Sequence, residues 1–329
     1  MSFELKPVAA PRPSKVDLSV VLPIYDEEES LGELLDNLFA VLDGLNRSYE
    51  IWCVNDGSHD RSSEILHEIA KRRSQLHVLD FRRNFGQTAA LMAGFDHARG
   101  DVIVTLDADL QNDPADIPRL LEKLDEGYDV VSGWRADRKD AAISRNFVSR
   151  IANGVISYMS GVKLHDYGCT LKAYRRDVMS GVRLYGEMHR FIPIYASWRG
   201  ARVVEMPVGH AARRFGKSKY GLNRIFKVIL DLMVLKFLES YLVKPIYVFG
   251  GFGLFSIVLS FITLAVAIGL KLFAHTSLIQ TPLPLLAAML FLMGCMSILL
   301  GLLAEIMTRT YFESQGSRPY TVRAPDGDD

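Results

Sequence analysis

Two stretches of the chain, "VFGGFGLFSIVLSFITLAVAIGL" from Val248 and "PLLAAMLFLMGCMSILLGLLA" from Pro284, contain no Asp, Glu, Lys or Arg. Each supplies the roughly 20 apolar residues that a helix needs to cross a bilayer. The 329-residue chain has a formal net charge of zero, and that sum hides an asymmetry. Residues 246–304 carry almost no charge, while the first 245 hold most of the Lys, Arg, Asp and Glu. The expected organisation is a soluble part followed by a membrane part. A neutral balance gives no indication of nucleic-acid binding. Lys244 precedes the first span and Arg309, Arg318 and Arg323 follow the second, whereas only Lys271 lies near the start of the loop between them. The positive-inside rule therefore predicts that both termini and the large N-terminal domain are cytoplasmic. Residues 1–17 contain Pro and Lys and lack an apolar core, so they read as a flexible lead-in and not as a cleavable signal. Cys53, Cys169 and Cys295 are scattered, which fits reduced thiols and excludes a zinc cluster by spacing.

The soluble part alternates between β-type runs and helical patterns. "LSVVLPIY" (18–25), "YEIWCVND" (49–56), "LHVLDF" and "DVIVTLDA" read as strands. "SLGELLDNLFAVLDGL" (30–45), "RSSEILHEIAKRR" (61–73) and "QTAALMAGFDHA" read as the helices between them. Such alternation predicts an α/β fold with a mostly parallel sheet, whose ligands gather at the carboxyl ends of the strands. Polar groups stand at all four of those ends. They are Tyr25, Asp26 and Glu27, then Asn55 and Asp56, then Arg82, Arg83 and Asn84, and finally Asp107 and Asp109. Residues 22–33, "LPIYDEEESLGE", carry carboxylates where a dinucleotide fold or a P-loop needs glycines, so neither phosphate loop is present.

Asp107 and Asp109 lie one residue apart, and on an extended segment they point the same way. Two such carboxylates suit a hard divalent cation that also binds phosphate oxygens, and Gln111 adds a neutral oxygen two residues on.

"VVLPIYDEEESL", "VNDGSHD", "RRNFGQTAALMAGF", "TLDADLQNDP", "SGWR", "DYGCTLKAYRR" and "RRFGKSKYG" occur in this order and are followed by two apolar spans. From about residue 18 to 323 the chain resembles the polyisoprenyl-phosphate glycosyltransferases of glycosyltransferase family 2. That group includes dolichol-phosphate mannose synthases, bactoprenol glucosyltransferases and undecaprenyl-phosphate aminoarabinose transferases. The resemblance implies a GT-A fold that binds a nucleotide-sugar with Mg²⁺ or Mn²⁺. It also implies transfer of the sugar, with inversion, to a polyisoprenyl phosphate on the cytoplasmic leaflet, in bacteria that of the inner membrane. Carried over, Pro23, Tyr25, Glu27, Val54 and Asp56 match the positions around the base and ribose. Asp107, Ala108 and Asp109 match the diphosphate and metal segment, with Gln111 where many members place a third ligand. Arg135, Arg213 and Lys219 match the cationic clamp on the donor diphosphate, and Arg145 and Ser149 match the acceptor-phosphate site. The domain plan is a lead-in (1–17), a cytoplasmic GT-A domain (18–219), amphipathic interfacial helices (220–244), a two-helix transmembrane hairpin (246–307) and a cytoplasmic tail (308–329). Homo-oligomer formation is left open.

The chemistry agrees with these assignments. A departing nucleoside diphosphate gains negative charge, which a metal and fixed cations stabilise. Arg135, Arg213 and Lys219 are suitable donors, and Gly216 within "RRFGKSKYG" permits a tight turn if this segment closes as a lid. Arg145 and Ser149 lie four apart in a helical pattern, so both face one way and can grip one phosphate. A lipid phosphate monoester has a second pKa near 6, so no strong general base is required. Asp166 falls where inverting relatives with alcohol acceptors keep a base; here it serves either as a catalytic group or to orient the sugar or the clamp. Glu187, His189 and Arg190 are candidates for reading sugar hydroxyls, with a hydrogen-bonded structural histidine as the alternative for His189.

"YGLNRIFKVILDLMVLKFLESYLVK" (220–244) places Leu222, Ile225, Phe226, Ile229, Met233 and Phe237 at helical spacing, as for a helix lying in the membrane interface or packing on the domain. A processive polysaccharide synthase would carry a Q-x-x-R-W motif and more spans, and both are missing. Asp107, Asp109 and Arg213 argue against a non-catalytic scaffold. "HRFIP" looks more like the hexose enzymes, so the expected donor is a UDP-hexose, with glucose favoured; GDP-mannose and aminoarabinose are the alternatives.

Overall fold

The computed structural model describes residues 16–136, 160–179, 188–211, 244–273 and 277–315, with single positions between 153 and 186. Two compact units divide at residues 232 and 233.

The first unit is built on a seven-stranded sheet. Its strands are β1 (Leu18–Ile24), β2 (Tyr49–Asn55), β3 (Leu76–Asp80), β4 (Val102–Thr105), β5 (Val130–Trp134), β6 (Lys172–Arg175) and β7 (Val203–Pro207). The order is β3-β2-β1-β4-β6-β5-β7. All pairs are parallel except those of β6, which runs antiparallel to both β4 and β5. The first four strands follow the βα reading. Antiparallel β6 was not legible there, because "LKAYRR" has no turn signal to a hairpin partner.

The helices delimited among the described residues of this unit are α1 (Leu31–Asp43), α2 (Ser62–Ala70), α3 (Gln87–His97), α4 (Ile117–Asp125), α5 (Arg176–Met179) and α6 (Ile192–Trp198). On α1, Leu31, Leu34, Leu35, Leu38, Phe39 and Leu42 recur at helical spacing and all are buried. They share a core with Leu18, Val20, Leu22 and Ile24 of β1 and with Ile117, Leu120, Leu121 and Leu124 of α4. Val21 points to the other face of the sheet, where α3 approaches so closely that a Cβ on Gly94 would stand 2.2 Å from Val21 Cγ1. Both faces of the sheet are therefore covered, as expected of nearly continuous apolar strands.

Strand β4 is shorter than its sequence suggests. It ends at Thr105, and the chain turns over Ala108 to Leu110, where Leu110 takes φ 57°. The extended geometry expected to align Asp107 and Asp109 is thus replaced by a turn, because the ladder to β6 stops at the Thr105–Lys172 pair.

The second unit holds α7 (Ile246–Phe273) and α8 (Leu283–Gln315), each long and apolar enough to cross a membrane. Helix α8 continues past residue 307, the expected end of the hairpin, through Gln315. Small residues line the contact. A Cβ on Gly253 would lie 2.7 Å from the Gly294 carbonyl, and one on Gly294 would lie 2.7 Å from that of Gly253. Ser260 Oγ donates to the Ala287 carbonyl and Ser297 Oγ to that of Phe249, each at 2.7 Å. Close backbone approach through Gly and Ser is the packing mode of helices in lipid. Phe252, Phe255, Phe261, Leu292 and Leu303 are left exposed, which suits lipid and not water. Of the expected interfacial segment 220–244, only Lys244 falls among the described residues.

Two glycines near α-helical starts and middles should respond oppositely to a methyl group. Gly94→Ala overpacks against Val21 and should cost about 1–3 kcal/mol. Gly32→Ala meets nothing within 4 Å on α1 and should leave stability unchanged or slightly raised. Thermal unfolding of the two variants in detergent checks this pair.

Candidate active site

The loops that leave β1 and β2 are stitched together at the carboxyl edge of the sheet. Ser58 Oγ accepts from the Asp26 amide at 3.0 Å, and Asp26 Oδ1 accepts from the His59 amide at 2.8 Å. Ser62 Oγ accepts from the Glu27 amide at 3.0 Å, Asp60 from the Glu28 amide at 3.0 Å, and Glu28 from the Arg61 amide at 2.9 Å. Asp26 takes φ 53°, a strained value for a non-glycine residue, and these bonds hold it there. Tyr25 meets His59 edge to face at 6.1 Å. Pro23 pairs with Val54 across β1 and β2, and Val54 is fully buried, so it forms floor and not contact surface.

Asp56, buried at the end of β2, accepts from the Phe85 and Gly86 amides at 2.6 and 2.9 Å. Burial raises its pKa, against these two bonds. Asn55 donates to Asp80 at 2.7 Å, which ties the third strand end to the second. Gly57 has φ 68°, and a Cβ there would stand 2.4 Å from the Arg83 carbonyl carbon, so only glycine admits the loop after β3.

That loop opens α3, and the run from Phe85 to Thr88 touches three separate parts of the site. Its first two amides hold Asp56. Gln87 Nε2 donates to Asp107 Oδ1 at 2.7 Å. Thr88 Oγ1 donates to the Gly186 carbonyl at 2.5 Å and accepts from His189 Nδ1 at 2.7 Å. Gly86, Gln87 and Thr88 received no individual role in the sequence, where "RRNFGQTAALMAGF" reads as a family motif and the start of a helix. His189 is buried, and its Nδ1 bonds to Thr88.

Asp107 is pushed up to about 6 by burial and by the neighbouring charge of Asp109, with Thr170, Arg135 and Lys172 opposing. Asp109 is buried and accepts from the Gln111 amide at 3.2 Å. Ala108 between them is buried. Gln111 in turn accepts the Ala211 amide at its carbonyl, 2.9 Å away, and Asn112 forms a bridge with His210. The chain entering "RRFGKSK" is therefore fastened to the acidic turn. Among the described residues no three His, Cys, Asp or Glu side chains form a metal cluster. Two hard carboxylates whose charges raise each other's cost do fit a divalent cation that takes its other ligands from phosphate and water.

Beside the acids, Asp166 grips Arg135 with two bonds, to Nε at 2.7 Å and to Nη2 at 3.0 Å. Burial alone would lower the Arg135 pKa; the contact with Asp166 more than reverses this and holds the guanidinium charged. Lys172, pulled down to about 8 by burial, donates to the carbonyls of Tyr167 and Cys169. Arg190 Nη1 comes within 4.0 Å of where a Cβ on Gly168 would stand. Arg145, Ser149, Glu187, Arg213 and Lys219 lie outside the described residues.

The glycosyl transferase family 2 profile matches residues 19–182. Dodecaprenyl-phosphate galacturonate synthase of Rhizobium johnstonii is 41% identical over 313 residues, covering 94% of this chain and 92% of that protein. The chain belongs to glycosyltransferase family 2. It is an enzyme of the glycosyltransferase class. Undecaprenyl-phosphate 4-deoxy-4-formamido-L-arabinose transferases are also similar. That of Edwardsiella ictaluri is 40% identical over 308 residues, with 93% of each chain covered. That of Pseudomonas aeruginosa is 41% identical over 311 residues, 91% of this chain and 88% of the relative. Among solved structures, glucosyl-3-phosphoglycerate synthase of Mycobacterium tuberculosis, in complex with Mn²⁺, UDP and glucosyl-3-phosphoglycerate, superposes with TM-score 0.52. At 16% identity, over 68% of this chain and 80% of that one, it establishes the GT-A fold.

A cation bound at Asp107 would compete with its proton. Mn²⁺ affinity of the nucleotide-free protein should therefore fall as pH drops through about 6 and level off above it. Calorimetric titration between pH 5 and 8 checks the direction.

Proposed function

We propose that this enzyme transfers a sugar from a UDP-sugar to a polyprenyl phosphate, with Asp107 and Asp109 holding a divalent cation against the donor diphosphate. The observation that carries this reading is the near full-length similarity to two groups of polyprenyl-phosphate sugar transferases, in a chain whose four strand ends converge on that acidic turn. Those relatives are named for galacturonate and for 4-deoxy-4-formamido-L-arabinose. The sugar is accordingly assigned to the uronate or 4-amino-pentose class, ahead of the glucose expected from "HRFIP" and of GDP-mannose. Arg135, Lys172 and Arg190, gathered near Gly168, suit a strongly anionic donor.

The base and ribose lie along Tyr25, Glu27 and Asp56, over the floor formed by Pro23 and Val54. The bound cation would supply positive charge to the leaving diphosphate. Arg135 does the same from the protein side, joined by Arg213 and Lys219. Such fixed charges act most where negative charge grows, and that is the departing diphosphate. The acceptor phosphate, held by Arg145 and Ser149, is already largely dianionic at neutral pH. Its oxygen attacks the anomeric carbon, the bond to the diphosphate breaks, and configuration inverts. The bidentate Arg135 contact supports Asp166 as an orienting residue and not as a base. The hairpin anchors the enzyme where its acceptor lies, with the catalytic domain and both termini on the cytoplasmic side.

The decisive experiment incubates the purified protein, Mn²⁺ and undecaprenyl phosphate with UDP-galacturonate, UDP-4-deoxy-4-formamido-arabinose, UDP-glucose or GDP-mannose, and scores lipid-linked product by mass. Product from one of the first two is expected. Product from none of the four contradicts the proposal, and product from UDP-glucose or GDP-mannose alone contradicts the sugar class.

Donor and acceptor roles should separate on mutation. Arg145→Ala should leave UDP affinity unchanged and cut transfer by about 1.5–3 kcal/mol, the usual worth of a charge-assisted contact. Arg213→Ala should weaken UDP binding and also lower kcat. Calorimetry with UDP, paired with transfer kinetics against lipid concentration, reads both.

A further inference from the structure

We propose that Glu205, on β7, is a positioning residue that fixes Asp166 and, through it, the Arg135 guanidinium at the donor site. The inference rests on the assignment of Arg135 to the donor diphosphate.

Glu205 has a side chain only 10% exposed. Its Oε1 accepts from the amides of His165 and Asp166, at 3.0 and 2.9 Å. Its Oε2 lies 2.9 Å from both the His165 amide and His165 Nδ1. One carboxylate thus holds two consecutive backbone amides and a ring nitrogen of the segment that carries Asp166. The other end of that segment is held with the opposite sign. Lys172 donates to the carbonyls of Tyr167 and Cys169. An anion on the amides and a cation on the carbonyls leave residues 165–169 one orientation.

That orientation determines where Arg135 points. Asp166 spends both oxygens on Arg135 and also accepts the Gly168 amide at 3.0 Å. A Cβ at Gly168 would stand 3.2 Å from Arg135 Nη2, so the loop passes directly beside the guanidinium. The support itself is rigid. Glu205 pairs with Ser132 across the parallel β5–β7 ladder, three residues before Arg135. The His165 ring that Glu205 holds stacks at 4.5 Å on Trp134, the neighbour of Arg135. Among the described residues, the one assigned to the site that Glu205 contacts is Asp166, and Glu205 acts through it.

A residue that acts only through Arg135 loses its effect when Arg135 is gone, whereas one that merely supports the fold does not. The test is a double-mutant cycle with Glu205→Gln, Arg135→Ala and the double variant. It is read as kcat, as lipid KM and, independently of turnover, as UDP affinity in Mn²⁺ by calorimetry. Glu205→Gln alone should lower kcat about tenfold or more and weaken UDP binding, with lipid KM within about twofold of the parent. In the Arg135→Ala background it should change kcat and UDP affinity by less than about twofold. Glu205→Asp, which keeps the charge on a shorter stem, should recover part of the UDP affinity and serves if the Gln variant does not fold. Losses that multiply in the double variant would overturn the proposal, as would parent-like kcat and UDP affinity in Glu205→Gln. A parent enzyme that binds UDP but makes no lipid-linked sugar would instead refute the polyprenyl-phosphate reading, and the UDP cycle would still decide the role of Glu205.

Discussion

The electrostatic burden of Asp107 and Asp109 organises this site. Burial behind a strand end, joined by the neighbouring Asp109 charge, disfavours ionised Asp107 and raises its pKa to about 6. The surroundings relieve it only in part. Gln87 contributes a neutral donor, and Arg135, just past β5, and Lys172 of β6 contribute charge. The dication proposed for this turn would offset the remainder. Antiparallel β6 makes this possible, because it brings Lys172 level with Thr105 at the point where β4 gives way to the acidic turn.

The rest of the sheet edge is held by bonds between loops, added to those within them. The β1 loop bonds to the β2 loop, the β2 end bonds to the start of α3, and α3 bonds to the acidic turn and to Gly186 and His189. Strained backbone at Asp26 persists because these partners over-determine it. Such cross-bonding removes conformational freedom before substrate arrives, which is how orientation contributes to catalysis without further reorganisation.

Much of this was legible in the sequence because of strong, local signals. The leucine spacing of α1 and the apolar runs of β1 and β4 follow directly from periodicity, and the two charge-free helices follow from composition. Asp56, Asp107 and Asp109 stood out as acids after buried runs. The missing parts depend on contacts between distant segments. Nothing in "FGQT" announces that one helix start would reach Asp56, Asp107 and Gly186 together. Nothing in "VVEMP" marks Glu205 as the partner of a loop forty residues earlier. The turn at Asp107 was misread as strand because β4 loses its ladder partner at Thr105, a fact of pairing and not of propensity.

The glycine and serine contacts between α7 and α8 complete the account, since they leave the large apolar side chains outward for lipid. The central claim, that the acidic turn binds a divalent cation together with a nucleoside diphosphate, is tested most directly by Mn²⁺ electron paramagnetic resonance with UDP present. One tightly bound Mn²⁺ per chain is expected, lost in both Asp107→Asn and Asp109→Asn while the fold is retained. Undiminished Mn²⁺ binding in both variants would contradict it.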